Sequence, residues 1–110
     1  MANLTPKNLY IGNDTASNIY TVSNTVGSYS ILRNINICNT TSTAVVCDIH
    51  LLSASGTPGN NNAILKNFTV NATETISYDA SIVLEAGQKL YVVNANNKCT
   101  FTISGVEYSA

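Results

Sequence analysis

Apolar and polar residues alternate with a period of two along most of this chain. The clearest run is Ala44 to Leu52. Val45, Cys47, Ile49 and Leu51 fall on one face, and Val46, Asp48, His50 and Leu52 fall on the other. The first set is apolar throughout, so it is expected to point inward. Cys99, Phe101 and Ile103 alternate in the same way with Thr100, Thr102 and Ser104. Between Tyr29 and Cys38, Ile31, Ile35 and Ile37 share a face with Arg33, while Asn34, Asn36 and Cys38 share the other. Arg33 interrupts an apolar face. That predicts a strand end or a bulge, with the guanidinium reaching water. Further strands are predicted at Leu9–Ile11, Asn18–Val22, Ala63–Val70, Thr75–Tyr78, Ile82–Leu84 and Lys89–Asn94. Val92 and Val93 beside Leu90 and Tyr91 suggest a strand covered on both faces.

Turn signals separate these runs. They are Gly12-Asn13-Asp14, the stretch Asn39 to Thr43, the long Pro- and Gly-containing loop Ser53 to Asn62, Glu85-Ala86-Gly87-Gln88, and Asn94 to Lys98. No segment keeps a 3.6-residue apolar period. The expected fold is all-β: a small antiparallel β-sandwich of about eight strands, jelly-roll or immunoglobulin-like. One domain over residues 1–110 is expected, with residues 1–8 as a candidate mobile amino-terminal arm.

Composition narrows the function classes. Charged residues make up 10% of the chain, against about 25% in average proteins, and Asn, Thr and Ser fill the balance. The formal net charge is −1. A nucleic-acid binder would carry a basic surplus, so no nucleic-acid partner is expected. No apolar stretch approaches a membrane span, so no membrane partner is expected. Met1 to Thr5 has neither a basic nor an apolar region, which predicts synthesis without Sec export. The odd cysteine count (Cys38, Cys47, Cys99) predicts reduced, mostly buried thiols rather than a disulfide framework. Five N-x-S/T sequons, starting at Asn3, Asn13, Asn39, Asn67 and Asn71, follow from an Asn/Thr-rich composition.

Candidate chemistry is sparse. His50 is the single histidine and shares a strand face with Asp48, so an Asp–His pair is geometrically open. No G-x-S-x-G elbow supplies a nucleophile, and a solvent-facing polar pair accounts for the same residues. Asp14, Asp48, Glu74, Asp79, Glu85 and Glu107 are dispersed. Asp79 and Glu85 flank one short predicted strand, but a chain this small offers little room for a glycosidase cleft. Gly12–Thr15 and Gly59–Asn62 offer oxygen ligands with almost no charge, too little for calcium. Tyr10, Tyr20, Tyr29, Tyr78, Tyr91 and Tyr108 suit strand packing first and interfaces second. No catalytic residue, cofactor or metal site is expected, and no enzyme activity. The apolar positions Leu4, Leu9, Tyr10 and Ile11 are the candidate oligomer or docking contacts.

Several stretches together carry a resemblance. Cys38-Asn39-Thr40-Thr41 opens a hairpin before the strand to Leu52. Asn62-Ala63-Ile64-Leu65-Lys66 opens another strand. Leu84-Glu85-Ala86-Gly87-Gln88 forms a turn, and Ile103-Ser104-Gly105-Val106-Glu107 closes the chain. From about Tyr20 to Glu107 the chain resembles small virion proteins of tailed bacteriophages, labelled as structural, tail, collar or capsid-decorating components. The resemblance implies a β-sandwich made in a bacterial cytoplasm. It would be located in the virion, docked on capsid, neck or tail as a symmetric homo-oligomer, with a trimer favoured and other virion proteins as partners. It supplies no catalytic residue. A second reading is a receptor- or glycan-binding module on the virion, using the loops Ser53–Asn62 and Asn94–Lys98.

Overall fold

A computed structural model describes residues 3–94 and 98–109. Its strands are β1 (Asn3–Gly12), β2 (Ala16–Thr21), β3 (Tyr29–Asn39), β4 (Val45–Leu52), β5 (Ala63–Val70), β6 (Thr75–Glu85), β7 (Lys89–Asn94) and β8 (Cys99–Ser109). They build two antiparallel four-stranded sheets, ordered β1-β8-β3-β6 and β2-β7-β4-β5. Only β4 and β5 are neighbours in both sequence and space; every other link crosses between the sheets. This is the jelly-roll order, so of the two sandwich types left open by the sequence the chain adopts the jelly roll.

The alternation predicts the core well. Ile35, Ile37, Phe101 and Ile103 from the first sheet meet Ile49, Leu90 and Val92 from the second, all fully buried. Each such side chain contributes roughly 1.5–3 kcal/mol of burial. The β4–β7 ladder is unbroken from Cys47↔Asn94 to Leu52↔Lys89, so Val45, Cys47, Ile49 and Leu51 face inward as expected.

Two boundaries differ from the sequence reading. Of the segment 1–8 expected to be a mobile arm, residues 1–2 lie outside the described residues, and Asn3 to Asn8 are paired opposite Ser109 to Ser104. A polar run can still be a strand when its backbone has a partner and one face is wet. The runs Thr75–Tyr78 and Ile82–Leu84 are one strand, β6. The register with β3 places its even-numbered residues on the inward side, although Tyr78 stays 41% exposed.

Arg33 sits at a bulge, as its position in the pattern predicts. The register shifts between Leu32 and Asn34 on both sides of β3, and Arg33 is exposed. The extra residue reverses which parity faces inward. Ser30 and Leu32 are buried before it, and Ile35 and Ile37 after it. Ile31 therefore points outward, contrary to the expectation that it shares the inner face with Ile35. Gly105 on β8 lies opposite Leu32 at this step. A Cβ there would overlap the carbonyl oxygen of Ile31 and crowd Leu9 Cδ1 at 3.2 Å.

The sheets are also tied by polar groups. Tyr20 Oη lies 2.6 Å from Ser30 Oγ and donates to Glu107 Oε2 at 2.5 Å. Lys7 Nζ reaches Glu107 Oε1 at 3.3 Å. The Tyr20 hydrogen bond, followed by Lys7, holds the Glu107 carboxyl below its ordinary range. Burial, with the nearby Glu107, pushes the Tyr20 phenol up to about 12.

Two expectations follow. Gly105→Ala forces backbone displacement at the bulge and is expected to destabilise by about 1–3 kcal/mol, read as a melting temperature roughly 5 °C or more lower; an unchanged melting temperature would contradict the close approach. For the inter-sheet tie, Glu107 has a depressed folded pKa. Its contribution is present above the ordinary value of 4.5 and is lost as pH falls through the folded value. Tyr20 has a raised folded pKa, so stability declines as pH rises from 10 and levels off beyond about 12. Urea midpoints measured across pH should show both losses. Tyr20→Phe should shrink both the alkaline loss, to which the raised Cys47 and Cys99 thiols also contribute, and the acid one, and an identical profile in the variant would refute the tie.

Candidate functional surface

His50 is not a solvent-facing residue. It lies on the outer face of β4, opposite Tyr91 in the ladder, yet is 2% exposed. The Ser53–Asn62 loop returns over it: Leu51 N donates to Asn62 O at 3.0 Å, and His50 Nδ1 lies 2.8 Å from Asn62 Oδ1. Asn62 Oδ1 also accepts from Gly59 N at 3.0 Å, and its Nδ2 donates to Thr57 O at 2.8 Å. Those two bonds fix the amide orientation, so Nδ1 is the donor in its pair with Asn62. Nε2 then faces Asp48 Oδ2 at 4.0 Å, and the ring meets Tyr91 edge-on at 6.5 Å. The imidazole props the loop. Both its nitrogens point at structural groups, and the geometry of a nucleophile–base pair is not built.

Asp48 is likewise employed in the backbone. Its Oδ1 accepts from Asn67 N at 2.7 Å, and its Oδ2 lies 3.4 Å from Lys66 Nζ. Asn67 has a φ of 51° at a register shift between β4 and β5. Asn tolerates this left-handed conformation better than most residues. The carboxylate caps a backbone donor that the bulge removes from the ladder.

Two more asparagines organise loops from buried positions. Asn39 Nδ2 donates to the carbonyls of Thr43, Val70 and Asn71 at 2.8–3.1 Å, and its Oδ1 accepts from Thr41 N and Oγ1. Asn94 bonds both backbone groups of Cys99, at 2.7 and 3.0 Å. Of the predicted loop Asn94–Lys98, residues 95–97 lie outside the described residues.

The remaining candidates do not converge. Asp79 and Glu85 both lie on the outer face of β6, roughly 20 Å apart at the rise of a strand, so they do not approach each other. Asp79 accepts from Asn34 Nδ2 at 2.9 Å, and Glu74 accepts from Asn71 N at 3.2 Å. Asp14 donates its backbone N–H to Tyr10 Oη at 3.1 Å. Among the described residues, no three His, Cys, Asp or Glu side chains are grouped as metal ligands. The cysteines are free. Burial pushes Cys47 up to about 12 and raises Cys99, so these thiols stay protonated.

What the fold does assemble is an apolar surface. On the outer face of the first sheet, the register aligns Pro6, Val106, Ile31 and Val83 in one row across all four strands. The next row holds Leu4, Tyr108, Tyr29 and Glu85. Tyr29 and Tyr108 stack at 4.8 Å and 15°. Leu4 is 59% exposed, Val83 54%, and Val26 in the adjoining loop 91%. Beyond the Arg33 bulge the same face turns polar, with rows Asn8, Ser104, Asn34, Asp79 and then Thr102, Asn36, Ser77. A shallow depression of about 640 Å³ borders the apolar end, with Val26, Tyr29, Ser53, Val83 and Glu85 among its walls.

The four contacts expected from the amino end are dispersed by this arrangement. Leu4 joins the apolar rows. Leu9 is 7% exposed within the core, which withdraws it from any docking surface, and Tyr10 packs partly against that core. Ile11 is exposed but lies opposite Thr102, at the polar end. The sequence reading missed Ile31, Val106 and Tyr108 as surface residues. The signal was present in the Arg33 interruption, which reverses the outward parity of β3.

No protein-family model and no curated protein sequence matches the chain. A solved structure shares its fold. A chain in the structure of infectious bursal disease virus, Gx strain, aligns with 97% of this chain and 31% of its own length, at 12% identity and a TM-score of 0.53. A chain from the Gt strain aligns with 98% of this chain and 30% of its own, at 11% identity and a TM-score of 0.44. This chain spans less than a third of the length of either. At such identity the likeness to the Gx-strain chain is one of fold alone.

Proposed function

We propose that this chain is a structural component of a virus particle, without catalytic activity. The finer reading is a tailed-bacteriophage virion protein. It is synthesised in the bacterial host cytoplasm and docks on capsid, neck or tail as a symmetric homo-oligomer alongside other virion proteins. The observation that carries the proposal is the two-row apolar end of the first sheet's outer face, on a domain otherwise coated with Asn, Thr and Ser. Exposed apolar patches bordered by polar residues mark interaction sites. The jelly-roll likeness to a virus chain and the resemblance of the sequence motifs to phage virion proteins point the same way. The sequence reading favours a trimer. A receptor- or glycan-binding role would draw on the depression beside Val26 and Tyr29.

The proposal is tested on gradient-purified virions, in which the protein should co-sediment with the particles. Leu4→Asp and Val26→Asp change residues that are more than half exposed, so the fold should persist by circular dichroism. Association with particles should fall about tenfold or more, equivalent to about 1.4 kcal/mol. Folded variants that associate as well as the parent would remove this face from the proposal. Glycan-array binding without particle association would favour the receptor reading instead.

A further inference from the structure

The four sheet edges are not equally protected. Edge strands expose unpaired N–H and C=O groups, and native proteins blunt them with proline, lysine, bulges or short length. β1 carries Pro6, Lys7 and a register shift after Asn8. β2 has six residues and a shift after Asn18. β5 carries Lys66, two shifts and the left-handed Asn67. β6 takes part in one register shift, the step opposite Arg33 in the β3 ladder, but carries none of the residue devices. It runs 11 residues without proline, lysine or a positive φ, and its register with β3 places Ile76, Tyr78, Ile82 and Leu84 on the inward side. It also displays two of the exposed large apolar side chains, Tyr78 at 41% and Val83 at 54%.

We propose that β6 is an interface for the β6 of a second copy of this chain, paired antiparallel about Ala80 to join two four-stranded sheets into one of eight. Ala80 is the midpoint of Thr75–Glu85, so this register pairs the whole strand. A two-fold contact must be self-complementary, and this one is. Inward residues meet inward residues: Tyr78 lies opposite Ile82 of the second copy and Ile76 opposite Leu84, which covers the overhanging Tyr78 ring. Outward, Val83 lies opposite Ser77, Glu85 opposite Thr75, and Asp79 opposite Ser81. No like charges face each other, whereas centring the pair one residue away on Asp79 would set two carboxylates side by side. The apolar row ending at Val83 then borders its counterpart's sheet. The other edges serve less well as partners, because Pro6 lacks a donor and Lys66 and Asn67 break the line of β5.

This inference deepens the virion reading and rests on it only for self-association. The measurement is therefore made on purified protein without particles, by light-scattering mass across a concentration series. The parent chain is expected to reach twice its 11.7 kDa mass. Ser81→Asp places a second carboxylate opposite Asp79 at both symmetric positions and should weaken the dimer tenfold or more. Ser81→Lys places an ammonium there and should hold or tighten it, although lysine on an edge ordinarily blocks pairing. Ser81 is exposed, and circular dichroism checks that both variants fold. A monomer at every concentration, a trimer, or equal behaviour of the two variants would overturn the proposal. A dimer that fails to co-sediment with virions would leave it standing and defeat the virion reading instead.

Discussion

The ladder between β3 and β8 is the constraint on which the rest of the molecule depends. These are two of the longest strands, and they lie at the centre of the first sheet. Their inward residues Leu32, Ile35, Ile37, Cys99, Phe101 and Ile103 form most of the first sheet's half of the core. The ladder slips by one residue at Arg33, and that slip decides what the outer face shows. Before it, Tyr29 and Ile31 point outward; after it, Asn34 and Asn36 do. One extra residue lets a single strand contribute apolar side chains both to the core and to an exposed surface. Gly105 makes room for the slip, because any side chain there would meet the Ile31 carbonyl.

Most strands were legible because a half-buried antiparallel sheet writes its geometry directly into period two. β4, β5, β7 and the core face of β8 match the sequence reading closely. What was not legible depends on partners distant in sequence. Periodicity marks Arg33 as irregular but cannot say that parity reverses there, so Ile31 was placed inward. The segment before Leu9 looks like a loose arm because only its pairing with β8 makes it a strand. His50 looks solvent-facing because its strand position is on the outer side. Its burial comes from a loop whose path the local pattern does not encode.

The abundance of Asn has two distinct physical uses that composition merges. Many asparagines solvate strand faces and turns. Asn39, Asn62 and Asn94 instead act as compact two-sided connectors, donating with the amide nitrogen and accepting with the oxygen from backbone groups that lack ladder partners. A carboxylate could only accept and an ammonium only donate, and either would need to be buried as a charge. Such loops suit amides, which helps explain how a chain with so few ionisable groups keeps its irregular segments ordered.

The two outer faces are finished differently, and that contrast bears on function. On the second sheet the chain covers part of its own outer face: the Ser53–Asn62 loop lies against His50, and Leu52 is buried beside it. On the first sheet, no loop among the described residues covers the rows from Leu4 to Val83 in the same way, and Val26 extends the exposed apolar surface rather than closing it. Covering exposed apolar area with another surface is favourable because it excludes water from it, and the described chain covers part of one sheet with its own loop while these rows of the other stay exposed. In a domain whose histidine and acids are engaged in holding backbone or dispersed over the surface, the uncovered face is where binding energy is available. The strand pattern that builds the core thus also fixes which surface is left to be packed.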